Sequence, residues 1–325
     1  MTSASYHAPP LRGCDERKER RNDDNQGKVN RMDKKTQKTL AIGVVLVVAL
    51  AAVSYAVWSS GSGEDENTIR FGYVLWEGEI ASTNVLTLVL EEAGFNVEMT
   101  NVDAGILYQS LAVGDLDITT SAWLPVTQAA YWKEYGNRID SVATNLEGCT
   151  IGLAVPTYVT DVNSISDLVG RAGMFDSTIV GIDPGAGIMG LTEDVLVEYG
   201  LADAGWELQS SSSAGMLTAL SSAYADEKPI VVTLWTPHWA FGSFDLKMLD
   251  DPESIYGDAE HVQTLARQGF QEDNPEAYAI IERFHWTQAD IQSVMVDIHN
   301  GMAEEAAAQK WIDANRDIVD YWISG

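Results

Sequence analysis

Three tryptophans stand where a sheet would present them to a cleft. Trp76, Trp123 and Trp235 each follow or close a short apolar run and precede turn residues. In open α/β sheets the carboxyl ends of strands face the ligand crevice, and an indole face attracts a cation. One such residue is more often a packing tryptophan than a ligand contact. Three of them could enclose a cationic group. Trp132, Trp206, Trp239, Trp286, Trp311 and Trp322 fall in helix- or strand-patterned stretches and are expected in the core.

A second motif points to an anion. Gly185-Ala186-Gly187-Ile188-Met189-Gly190 fits G-x-G-x-x-G between a strand pattern and a helix pattern, with the acid Glu207 downstream. Asp183-Pro184 interrupts the usual dinucleotide arrangement. The glycines still let backbone N–H groups at a helix start approach an anion closely, so a carboxylate suits the position as well as a phosphate. A dinucleotide site of an exported oxidoreductase and a plain tight turn both stay open at this point.

Reaction chemistry is thinly represented. The sequence holds no G-x-S-x-G, H-E-x-x-H or C-x-x-C, and its cysteines are Cys14 and Cys149 alone. That leaves no disulfide framework, no thiolate metal site and no catalytic assignment. Of five histidines, His238 is the one expected in the crevice, either as a site residue or hydrogen-bonded beside Trp235.

The elements that must carry these residues alternate. Strands are expected over Thr68–Leu75, Phe95–Thr100 and Leu116–Ala122, with a helix from Ser82 to Ala93 and another over Ile106–Val113. The order recurs as strand Thr178–Ile182, helix Ile188–Tyr199, strand Trp206–Ser210, helix Ala214–Tyr224 and strand Pro229–Leu234. The chain from Asp251 onward reads as helical, over Pro275–Phe284, Gln288–Asn300 and Glu304–Trp322. This is α/β architecture with mainly parallel pairing, in two lobes over 67–160 and 161–325, the second taking the C-terminal helices. A cleft is expected between the lobes.

Charge organises the rest. The chain of 325 residues has a net charge of −28, which disfavours nucleic acid as a partner. Residues 1–38 hold 10 Lys/Arg against 6 Asp/Glu, whereas the remainder holds 10 against 42. Between them Thr39–Trp58 is uncharged for 20 residues, enough to cross a bilayer as a helix. The basic flank places residues 1–38 in the cytoplasm and the acidic lobes outside the cell membrane. The run is expected to be an uncleaved anchor, or else a signal segment, joined to the lobes by a linker over 59–66. Dispersed carboxylates with only four lysines after residue 66 suit a surface that stays hydrated in high salt.

Several stretches together resemble the substrate-binding proteins of glycine betaine ABC importers. They are WEGEIASTN from Trp76, SAWLP from Ser121, GIDPGAGIM from Gly181, WELQSSSS from Trp206, VVTLWTPH from Val231 and LDDPESIYGDA from Leu249. The resemblance implies a two-lobed, type II periplasmic-binding fold with a hinged cleft, preceded here by the apolar segment. It also implies a box of Trp76, Trp123 and Trp235 around a trimethylammonium head, with Gly187 and Ile188 donating N–H groups to the carboxylate. Some members carry a carboxylate-binding histidine where this chain has Gln128, so Gln128 and His238 join the expected ligand-binding set. The implied partners are a betaine, a permease and an ATPase, with no cofactor and no enzymatic step. Choline, carnitine and sulfonium osmolytes are the alternative ligands.

Overall fold

A computed structural model of the chain describes residues 67–325. The basic segment 1–38, the apolar run 39–58 and the linker 59–66 lie outside the described residues. Among the described residues no helix is long and apolar enough to cross a membrane.

The chain opens β1 (Thr68–Tyr73), α1 (Glu77–Glu92), β2 (Asn96–Asn101), α2 (Ala104–Val113), β3 (Ile118–Leu124) and α3 (Ala129–Tyr135). The long strand β4 (Ile139–Pro156) follows. Then come β5 (Thr178–Val180), α4 (Gly187–Glu198), β6 (Glu207–Gln209), α5 (Ser213–Ala225), β7 (Val231–Thr236) and β8 (Leu246–Met248). The chain ends with β9 (Glu260–Arg267), α6 (Pro275–Arg283), α7 (Gln288–His299), α8 (Glu304–Ala314) and α9 (Arg316–Ser324).

Strand order is β2-β1-β3-β9-β4-β7-β5-β6, with β8 also on β4. The β1–β2, β1–β3, β5–β6 and β5–β7 pairs are parallel, as the strand–helix alternation requires. Both strands that flank β9 run antiparallel to it, and β4 is antiparallel to β7, so the sheet is mixed. The first half of β4 pairs with β9 and its second half with β7 and β8. The chain therefore passes from one lobe to the other inside β4, beside Gly148, whose φ of 73° favours glycine. It returns between β8 and β9.

That return corrects the expected lobe boundary at residues 160 and 161. Strand β9 was expected to be helix, yet its alternating buried residues Val262, Thr264 and Ala266 fill the gap between β3 and β4. Helices α7 and α8 then pack on α1 of the first lobe. The first lobe thus contains both ends of the described chain, and the second is the insert between the two crossings. A strand that completes a sheet must sit beside its partners, wherever it falls in sequence.

Helix α1 also starts earlier than expected, at Glu77 instead of Ser82. Glu77 and Glu79 in its first turn complement the positive end of the helix dipole. The expected single helix over Glu304–Trp322 is two, broken at Asn315. The break lets Trp311 and Trp322 stack at 5.7 Å, with Trp286 edge-on to Trp311 at 5.7 Å.

Candidate functional site

Trp76, Trp123 and Trp235 converge on one cavity between the lobes, and each is more than nine-tenths buried. Trp76 immediately precedes α1, Trp123 lies near the end of β3, and Trp235 lies near the end of β7. The first two come from one lobe and the third from the other. In both Leu124–Pro125 and Thr236–Pro237, just after a cavity tryptophan, the peptide bond is cis.

The cavity encloses about 610 Å³ of space between atoms, part of it open to solvent. Gly187 and Ile188, the first residues of α4, form one wall. No side chain caps α4 and no acid occupies its first turn, so its first N–H groups lack intrahelical partners and carry the positive end of the helix dipole. The site therefore offers aromatic faces to a cation and a helix start to an anion.

Gln128 and His238 do not line the cavity, which corrects their expected placement. Gln128 is fully buried behind it, where Oε1 accepts the Trp123 backbone N–H at 3.0 Å and the Tyr108 hydroxyl at 2.8 Å. A buried amide beside an unpaired backbone N–H gains more by satisfying it than by reaching into an apolar cavity. His238 accepts the Ala240 N–H on Nδ1 at 3.0 Å and meets Trp235 edge-on at 4.9 Å. Its Nε2 lies 3.3 Å from Glu77 Oε2, across the cleft. Both residues support the wall and leave its face to others.

Glu79 was not anticipated, and among the described residues it is the one titratable side chain lining the cavity. Its Oε2 accepts the Val74 N–H at 2.9 Å, while Oε1 is buried without a hydrogen-bond partner. Burial raises the Glu79 carboxyl well above its ordinary value; the Val74 N–H opposes this and the Asp183 carboxylate adds to it. Burial therefore favours the uncharged form of Glu79 relative to an exposed glutamate. Trp76, Glu79 and Ser82 all line the cavity, and their spacing of three from the N-cap into α1 is a signal in the sequence that could have found Glu79.

Several contacts span the cleft. The Trp76 indole donates to Asp183 Oδ1 at 2.8 Å, and the Tyr131 hydroxyl donates to the Gly185 carbonyl at 2.8 Å. The Ser213 hydroxyl reaches both Glu77 carboxylate oxygens, at 2.9 and 2.7 Å. Burial would raise Glu77, but His238 and Ser213 together hold it below its ordinary value. The cleft is closed.

The family model for the substrate-binding domain of ABC-type glycine betaine transport systems matches residues 67–314. The chain belongs to this family. Betaine-system proteins are also its relatives by sequence and structure. The glycine betaine/carnitine transport binding protein GbuC of Listeria monocytogenes is 49% identical over 148 residues, which cover 46% of this chain and 49% of GbuC. The matched segment thus spans about half the length of that relative. Lactococcal OpuAC, solved closed with glycine betaine, is 42% identical with a TM-score of 0.76, over 79% of this chain and 100% of that one. The glycine betaine, L-proline-binding ProX of Borrelia burgdorferi is 38% identical with a TM-score of 0.76, over 79% and 96%. The family describes substrate binding for import, and the α/β fold is that of periplasmic binding proteins.

Proposed function

We propose that the chain captures glycine betaine between its lobes and delivers it to the permease and ATPase of an ABC importer. The observation that carries this reading is the convergence of Trp76, Trp123 and Trp235 with the α4 start on one cavity. A quaternary ammonium cannot donate a conventional hydrogen bond, so aromatic faces are its natural partners, at about 2 kcal/mol or more when desolvated. The carboxylate is taken by the N–H groups of Gly187 and Ile188. A zwitterion is neutral overall, so the acidic surface neither steers nor repels it strongly.

Choline lacks a carboxylate and would leave the α4 donors unused. Carnitine, which GbuC is named for, keeps a carboxylate and a trimethylammonium group and fits the same logic with a longer body. The L-proline of the ProX name keeps the carboxylate but has N–H donors that aromatic faces leave unpaired. Calorimetry on the purified full-length chain with glycine betaine, proline betaine, carnitine, choline and NAD tests this ranking. Binding of NAD without betaine would overturn it.

The uncharged run 39–58 supports a further part of the reading: the lobes are tethered outside the cell membrane by an N-terminal helix. Membrane fractionation is expected to retain the full chain. A soluble mature form beginning near Val57 would point to a cleaved signal instead.

A further inference from the structure

Trp76 and Glu77 are adjacent at the start of α1, and both are held by the opposite lobe. Ser213 and His238 approach the Glu77 carboxylate outside the cavity lining. Asp183, in the loop between β5 and α4, takes the indole N–H of Trp76 at 2.8 Å. The two grips differ in consequence, because only the Trp76 ring forms a wall of the cavity.

An indole has a single N–H, at its edge. A hydrogen bond there fixes the rotation of the ring and leaves its π-face free for a cation. The acceptor is well placed for that task. Asp183 Oδ2 is buried and has no hydrogen-bond partner, so no second donor draws the carboxylate away from the indole. The side chains lie 107 positions apart and on different lobes, so the bond exists only when the cleft is closed.

We propose that Asp183 is a positioning residue for ligand capture: from the second lobe it fixes the plane of Trp76, so that the aromatic cage is complete only in the closed cleft. Ligand enclosure and lobe closure are thereby one event. This rests on the betaine-binding reading above.

The test is a double-mutant cycle on the full-length chain with glycine betaine as the probe. Asp183→Ala should weaken binding by about tenfold, the worth of a charge-assisted hydrogen bond. Asp183→Asn keeps an acceptor oxygen and should bind within about threefold of the parent. Trp76→Phe removes the N–H, so adding Asp183→Ala to it should cost less than about twofold more. An equal loss from Asp183→Ala in both backgrounds overturns the proposal. Should Asp183→Ala not fold, Asp183→Asn carries the test, and a loss beyond threefold overturns it.

A second readout does not rely on affinity and is made with the cleft closed by saturating glycine betaine. In the tryptophan-labelled full-length chain, the Trp76 indole N–H, assigned by its absence from Trp76→Phe, should exchange slowly with solvent. It should exchange at least about tenfold faster in Asp183→Ala, by loss of the same bond. Equal rates overturn the proposal. A parent that binds no betaine by calorimetry overturns the choice of ligand, whereas equal rates in the betaine-saturated chain overturn the positioning role.

Discussion

Thr127 and Gly187 meet across the cleft so closely that a Cβ on Gly187 would collide with the Thr127 carbonyl oxygen. Thr127 follows β3 in one lobe and Gly187 opens α4 in the other. The glycine is therefore required by approach, since its backbone sits in ordinary helix geometry. Closure of the cleft and exposure of the α4 start both depend on the missing side chain.

Gly187→Ala should accordingly weaken betaine binding by tenfold or more, on the order of 1.4 kcal/mol or above, because a backbone atom cannot step aside. Gly190→Ala, three residues on in the same helix, meets nothing within 4 Å. It should bind as the parent does and gain about 0.5–1 kcal/mol in stability, as alanine for glycine in a helix does. Calorimetry and thermal unfolding on both variants check the contrast. Equal affinities would remove the close approach from the account.

Trp235→Ala should cost at least roughly 1–2 kcal/mol of affinity, and phenylalanine there should recover part of it through its weaker quadrupole. Trp311 is buried against Trp286 and Trp322, away from the cavity. Trp311→Ala should lower stability by about 3–5 kcal/mol while the folded fraction keeps its affinity. Binding should persist at high ionic strength, since enclosed contacts are screened less than exposed ones. A folded Trp235→Ala that binds as tightly as the parent would falsify the cage.

Glu79 sets a pH dependence with a definite sign. The folded chain holds this proton more tightly than the unfolded chain, because burial raises the carboxyl. Between the ordinary glutamate value and the raised one the folded state binds more protons, so stability falls as pH rises through that window. Glu79→Gln mimics the neutral acid and should flatten the alkaline side of the profile. Unfolding midpoints across the pH range check it, and parallel profiles would assign the effect elsewhere.

Asp117 sets the opposite slope. It accepts from Arg70 Nε at 2.9 Å and from Arg267 Nε at 2.6 Å, joining β1 to the end of β9. Burial alone would raise it, but the two guanidinium groups and the Arg70 N–H hold it below the usual aspartate range. Its contribution is present above the ordinary aspartate value and is lost as pH falls through the lowered one. Asp117→Ala should cost roughly 3 kcal/mol at neutral pH and less in acid. Denaturant midpoints at both pH values measure the difference; a cost that does not change with pH would count against the ion pairs.

By itself the sequence determined the local elements and the residues that end them. Alternating apolar runs identified β1, β2 and β3, and helical spacing identified α4 and α5, because these patterns are set by neighbours a few residues apart. Trp76, Trp123, Trp235, Gly187 and Ile188 were legible for the same reason: strand ends and a glycine-led helix start are local signals. The reading of 39–58 as a membrane segment also rests on sequence alone. Only the tertiary structure decided which elements meet. An apolar pattern says that a face is buried, but not against what, so β9 gave no sign that it would lie between β3 and β4. The same limit hid Asp183 from Trp76 and turned Gln128 onto the Trp123 backbone, because the rotamers that make those bonds are selected by packing partners far along the chain. Glu79 marks the boundary between the two. Its spacing from Trp76 was written in the sequence, while the burial that raises its carboxyl was decided by the tertiary packing around it.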